Sequence, residues 1–128
     1  LGPVLEVKEP QVLNRIEMED QYIERVQQGF RRVFTEGTAS GRWSGFPYEV
    51  SGKTGTAENP QFENGQQIYT ENLTLVGYSP AENPEIAFAI VVPKNGGTSA
   101  TQYPIHHNIG KRIVSKYYDL KNGKEKTD

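Results

Sequence analysis

Lys53, Thr54, Gly55 and Thr56 form the run in this chain whose residue types and spacing best suit chemistry. They lie within Val50-Ser51-Gly52-Lys53-Thr54-Gly55-Thr56-Ala57-Glu58. Just upstream, Phe46, Tyr48 and Val50 alternate with Pro47, Glu49 and Ser51, the period-two pattern of a strand. In such a strand Lys53 and Gly55 point to one side, and Thr54 and Thr56 to the other side or along the edge. A fixed ammonium at Lys53 can lower the cost of negative charge on a substrate and help relay protons. Gly55 has no side chain and leaves room for a substrate to lie against the strand. The Thr54 and Thr56 hydroxyls can hold a carboxylate between them, and the Thr56 N–H on an unpaired edge is a natural oxyanion donor. Together these would suit an acyl-transfer site. Gly52-Lys53-Thr54 also ends a phosphate-binding loop, but that motif needs glycine where Pro47 stands, and a helix afterwards. An isolated Lys-Thr-Gly is ordinarily a surface turn, so the surrounding sequence must decide.

The elements around the run read as α+β. Tyr22, Ile23, Val26, Phe30, Val33 and Phe34 recur at helical spacing over about residues 19–35, with Asp20 suited to the start and Gly37 to the stop. Residues 36–45 carry the glycines and serines of a loop. Three strands follow, at about 46–56, 69–78 and 85–93, and Pro47 suits the first to a sheet edge. Residues 58–68 between the first two are polar, with Asn64-Gly65 as a turn signal. The strand at 85–93 is apolar on both faces (Ile86, Phe88, Ile90 and Val92; Ala87, Ala89 and Val91), which predicts a place inside the sheet. Lys94 to Ser99 reads as a loop, Ile105, Ile109, Ile113, Val114 and Tyr117 mark a helix over about 105–118, and residues 119–128 form a charged tail that frays from Lys121. Residues 1–17, with Val4, Leu5, Val7 and Pro10, read as extended. The expected architecture is an antiparallel three-strand meander, its Lys-Thr-Gly strand at the edge, flanked by two helices.

Composition narrows the function. The 128 residues suit one domain or a substantial piece of one, and a 34% hydrophobic share with 13 glycines predicts many loops or surfaces that need a partner. A net charge of −2 gives no footprint for nucleic acid. There is no cysteine, which rules out disulfides and thiolate metal sites. The run Ile86 to Val92 is too short to span a bilayer, and the start at Leu1-Gly2-Pro3 reads as an internal cut with any anchor upstream. His106 and His107 are adjacent and cannot share a helix face, so they read as exposed helix residues rather than metal ligands. Trp43 and Tyr48 read as packing against the sheet, Glu58 as a solvated loop carboxylate, and Arg31-Arg32 as a solvated face. Asn72-Leu73-Thr74 matches a glycosylation sequon without further support.

Joined to Asn72-Leu73-Thr74-Leu75-Val76-Gly77-Tyr78-Ser79-Pro80 and to the stretch Asn83 to Pro93, the Lys53 run strongly resembles the C-terminal part of the transpeptidase domain of class B penicillin-binding proteins. The likeness is to elongation-type members of Gram-positive bacteria. It includes Ile23 to Phe34 and the turn Gly37-Thr38-Ala39, and covers nearly all of residues 10–118. The resemblance implies a fragment of the penicillin-binding and serine β-lactamase-like fold, with no cofactor. It implies that Lys53 supports proton relay and substrate binding, and that Thr54 and Thr56 bind the carboxylate of the donor peptide or of a β-lactam. The Thr56 N–H would be half of the oxyanion hole, and Gly55 would line the cleft. Peptidoglycan stem peptides, β-lactams and cell-wall elongation proteins are the implied partners. The implied place of action is the extracytoplasmic face of the bacterial membrane, reached through an N-terminal anchoring helix.

The chain also departs from the family pattern. Its serines are Ser40, Ser44, Ser51, Ser79, Ser99 and Ser115; none has Lys three residues later and none has Asn two residues later. The Ser-x-x-Lys nucleophile and the Ser-x-Asn element are therefore missing, and this chain alone is expected to be inactive. The missing part would also supply two strands and the helices against one sheet face, so that face is expected to be exposed or covered by another polypeptide. Two other readings stand beside the transpeptidase. One is a non-catalytic scaffold or binding module of the same fold; the other, a β-lactam sensor or β-lactamase, fits Thr56-Ala57-Glu58 less well.

Overall fold

The structure is a computed structural model that describes residues 9–96 and 104–123. The expectations for Val4, Leu5 and Val7, for the loop at Gly97 to Ser99 and for the tail beyond Gly123 lie outside the described residues.

The sheet is built on β4 (Thr70–Ser79), which pairs antiparallel with β1 (Ser51–Glu58) on one side and β5 (Ile86–Gly96) on the other. Register separates its two faces. Gly52, Gly77 and Phe88, then Thr54, Leu75 and Ile90, then Thr56, Leu73 and Val92 align across the strands on one face. Lys53, Val76 and Ala89, then Gly55, Thr74 and Val91, align on the other. Helices cover the first face. α1 (Asp20–Thr35) packs on β1, and α3 (Ile105–Lys121) crosses β4 and β5. The core between them is Phe34, Ala39, Trp43, Val50, Leu75, Ile90 and Val114.

The α+β meander expected from the sequence is present, with informative differences. Residues 46–50 are not strand: β1 starts at Ser51, and Phe46 and Tyr48 turn instead into an aromatic chain from Trp43 to Tyr118. Edge status therefore comes from topology, not from Pro47. The glycine-serine stretch holds a short helix, α2 (Ser40–Trp43), because Trp43 is buried and pins it. The polar stretch before β4 forms a hairpin of β2 (Gln61–Glu63) and β3 (Gln66–Ile68), turned by Asn64 and Gly65 at φ 51° and 78°.

β5 was expected inside the sheet but ends it among the described residues, and Ala87, Ala89 and Val91 on its second face are exposed. Near its end a bulge sets Pro93 and Lys94 against Asn72, and the Lys94 N–H donates to Asn72 Oδ1 at 3.0 Å. α3 runs to Lys121 rather than stopping at 118. Its last turn is tied down where Lys121 Nζ (2.6 Å) and the Tyr117 hydroxyl (2.9 Å) donate to Glu85, and these bonds hold the Glu85 carboxyl below its usual range.

His106 and His107 are buried, not exposed, because the first turn of α3 meets α2. Trp43 Nε1 donates to His107 Nδ1 at 2.8 Å. Arg31 is half-buried and donates to the Val50 carbonyl at 3.0 Å, fastening α1 to the entry of β1. Among the described residues no helix is long and apolar enough to cross a membrane.

Candidate active site

The Lys53 run occupies an open sheet edge. Among the described residues β1 pairs with β4 alone. Which groups face the opening follows from ladder parity. The Asn59 N–H donates to the Thr70 carbonyl at 2.8 Å, continuing the uninterrupted register of β1 on β4. In an antiparallel pair, residues in alternate positions direct both backbone groups to the partner. Odd-numbered residues of β1 therefore bond β4, and the N–H and C=O groups of Thr54 and Thr56 point out along the free edge. An independent contact agrees: the Thr54 carbonyl accepts from Lys53 Nζ at 2.7 Å. The Lys53 side chain starts on the uncovered face and folds over the edge, exposed to solvent.

The side chains divide as strand alternation requires. Thr54 is half-buried on the helix-covered face, and its Oγ1 lies 2.9 Å from Thr38 Oγ1 in the turn between α1 and α2. Thr56 shares that face but is exposed. Gly55 lies on the uncovered face, where a Cβ would overlap Thr74 Oγ1. The room that its missing side chain creates is thus taken by the hydroxyl of the neighbouring strand. Glu58 is exposed at the far end of β1, opposite Glu71.

Chemically, this edge offers an ammonium, outward N–H groups at Thr54 and Thr56, and a hydroxyl at each. An extended peptide can pair with such an edge through backbone bonds, and an anion can meet N–H groups, hydroxyls and ammonium together. The structure therefore brings Lys53, Thr54 and Thr56 to one open margin, with Gly55 keeping β1 close to β4. The cleft of about 500 Å³ between α1 and the turns at Glu49 and Glu82 includes none of these residues.

Two supporting residues escaped the sequence reading. Thr38 carries no local signal of its tie to Thr54, since sixteen positions separate them. Asn72, read only as part of a sequon, buttresses the far end of the strand: its Oδ1 accepts from Asn59 Nδ2 at 2.9 Å and from the Lys94 N–H at 3.0 Å.

Comparison with known proteins extends these findings. Residues 3–115 match the penicillin binding protein transpeptidase domain family. The chain is 41% identical to penicillin-binding protein 2A of Bacillus subtilis, over 98% of this chain and 18% of that protein. It is 37% identical to penicillin-binding protein H of the same organism, over 94% of this chain and 16% of that protein. Among solved structures, penicillin-binding protein 2B from Streptococcus pneumoniae superposes with a TM-score of 0.71 at 31% identity, covering 94% of this chain and 19% of that one. The chain thus spans less than a fifth of the length of these relatives.

Proposed function

The chain belongs to the penicillin-binding protein transpeptidase domain family, and from that premise we propose that it is the C-terminal segment of a peptidoglycan D,D-transpeptidase domain. It contributes the Lys53–Thr56 edge of an active site whose nucleophilic serine lies elsewhere in the protein. The observation that carries this reading is the open edge itself, with Lys53 and the outward N–H of Thr56 converging on the margin of β1.

In the proposed reaction the serine oxygen attacks the carbonyl of a D-Ala-D-Ala bond in a stem peptide. The developing oxyanion is held by the Thr56 N–H together with the N–H of the nucleophile. The C–N bond breaks, D-Ala leaves with a proton, and an acyl-enzyme ester remains. An acceptor amine then attacks that ester, forms the cross-link and returns the proton to serine. Lys53 lowers the cost of the negative charge and supports the proton relay, while Thr54 and Thr56 hold the donor carboxylate. A β-lactam enters the same path, but its opened ring stays tethered. Gly55 holds β1 close to β4, with the Thr74 hydroxyl in the space that a side chain would take.

The proposed partners are stem peptides, β-lactams and cell-wall elongation proteins, and the place of action is the extracytoplasmic membrane face. The anchoring helix and the Ser-x-x-Lys and Ser-x-Asn elements belong to the rest of the protein, so this chain alone is inactive. Fluorescent-penicillin labelling tests the reading. The expected result is no label on this chain, a covalent label on the longer protein that carries it, and at least a tenfold slower label with Lys53→Ala, about the loss of one charge-assisted contact in the transition state. A folded longer protein without label would instead identify a non-catalytic scaffold of the same fold.

A further inference from the structure

We propose that Thr38 is a positioning residue that aims the Thr54 hydroxyl at the substrate carboxylate, an inference that rests on the transpeptidase reading of the Lys53–Thr56 edge. The turn that carries Thr38 is fixed on both sides. The Gly37 N–H donates to the Arg32 carbonyl at 2.8 Å and the Ala39 N–H to the Val33 carbonyl at 3.0 Å, so both neighbours bond back to the last turns of α1. A Cβ on Gly37 would lie 2.9 Å from Val33 Cα, which shows how tightly the turn is pressed to the helix. Ala39 is fully buried, and Ser40 Oγ donates to the Gly37 carbonyl at 2.8 Å. Thr38 is therefore an exposed side chain on an immobilised backbone, with its hydroxyl 2.9 Å from that of Thr54.

Proton bookkeeping gives this contact a direction. Each hydroxyl has one proton and two lone pairs. If Thr54 donates to Thr38, only lone pairs remain to face a carboxylate, and they repel it. If Thr38 donates to Thr54, the Thr54 proton is free to point outward, and the incoming bond polarises it into a better donor. An anion at the edge selects the second arrangement. Thr38 thus acts through Thr54 and touches no substrate itself.

The test measures acylation of the longer protein by benzylpenicillin and by its methyl ester, whose carboxylate is masked. Thr38→Val keeps the shape but removes the donor. It should slow acylation by benzylpenicillin about fivefold and by the ester less than about twofold, the size of one neutral hydrogen bond and the polarisation it confers on Thr54. Thr38→Ser should restore the rate, and the Thr38→Val/Thr54→Val pair should lose no more than Thr54→Val alone. An unchanged rate in Thr38→Val, or an equal loss with both substrates, would overturn the proposal, the latter by exposing a merely structural role. If Lys53→Ala and Thr54→Val leave acylation by benzylpenicillin untouched, the transpeptidase reading itself falls and takes this proposal with it.

Discussion

Single atoms decide how close the Lys53–Thr56 edge can sit to its neighbour. Where β1 crosses β4, a Cβ on Gly52 would overlap the Val76 carbonyl oxygen and lie 2.7 Å from Gly77 Cα. Both obstacles are backbone, so neither can rotate away as a side-chain tip could. Gly52→Ala should therefore displace the strand that begins with Lys53, costing about 2–3 kcal/mol by analogy with overpacked cores. Urea unfolding of this chain would show the loss as a lower midpoint, and an unchanged midpoint would mean that the strands have slack to absorb a methyl group. Gly55 differs in kind, because its obstacle is a threonine hydroxyl that can turn. The exposed Lys53 ammonium, resting on the Thr54 carbonyl, can exchange that contact for an anion at little cost.

Between elements, the join of α2 to α3 depends on a neutral imidazole. His107 Nδ1 accepts from the Trp43 indole, whose ring packs edge-on against Phe34 and Phe46. Burial above all, then the charges of His106, Arg42 and Lys111, holds the His107 pKa down to about 4. His106 is also lowered, by its burial and by Arg42. The unfolded chain would protonate near 6.5, so as pH falls it takes up a proton that the folded chain refuses. His107 therefore leaves stability constant above about pH 6.5, and lowers it progressively as pH falls toward 4. Between pH 7 and pH 5 the chain should lose about 2 kcal/mol more stability than His107→Gln, which keeps an acceptor for Trp43 without the titration. Parallel urea curves for the two proteins at both pH values would refute this.

Among the described residues the helices dress the sheet on one side. Val91 is 63% exposed and Val76 48%, beside exposed Ala87 and Ala89, and β5 ends the sheet with an unpaired edge among the described residues. An apolar face next to an open edge favours strand-to-strand association. Val91→Lys should raise the monomer fraction of this chain in sedimentation, yet impair folding of the longer protein, where we propose that this face is covered. An equal effect on both would argue against such a cover. By itself, the sequence determined the α+β order, the amphipathic helices and the Lys53–Thr56 run, because residue period and local turn chemistry write these into neighbouring positions. Asn64-Gly65 even marked the turn of a hairpin whose strands were too short and polar to read. Only the tertiary structure decided that β5 ends the sheet among the described residues, that Trp43 buries His107, that Tyr48 stacks on Tyr118 instead of extending β1, and that Thr38 meets Thr54. Each of these joins residues far apart in the chain, and their meeting is set by how layers pack rather than by any local preference.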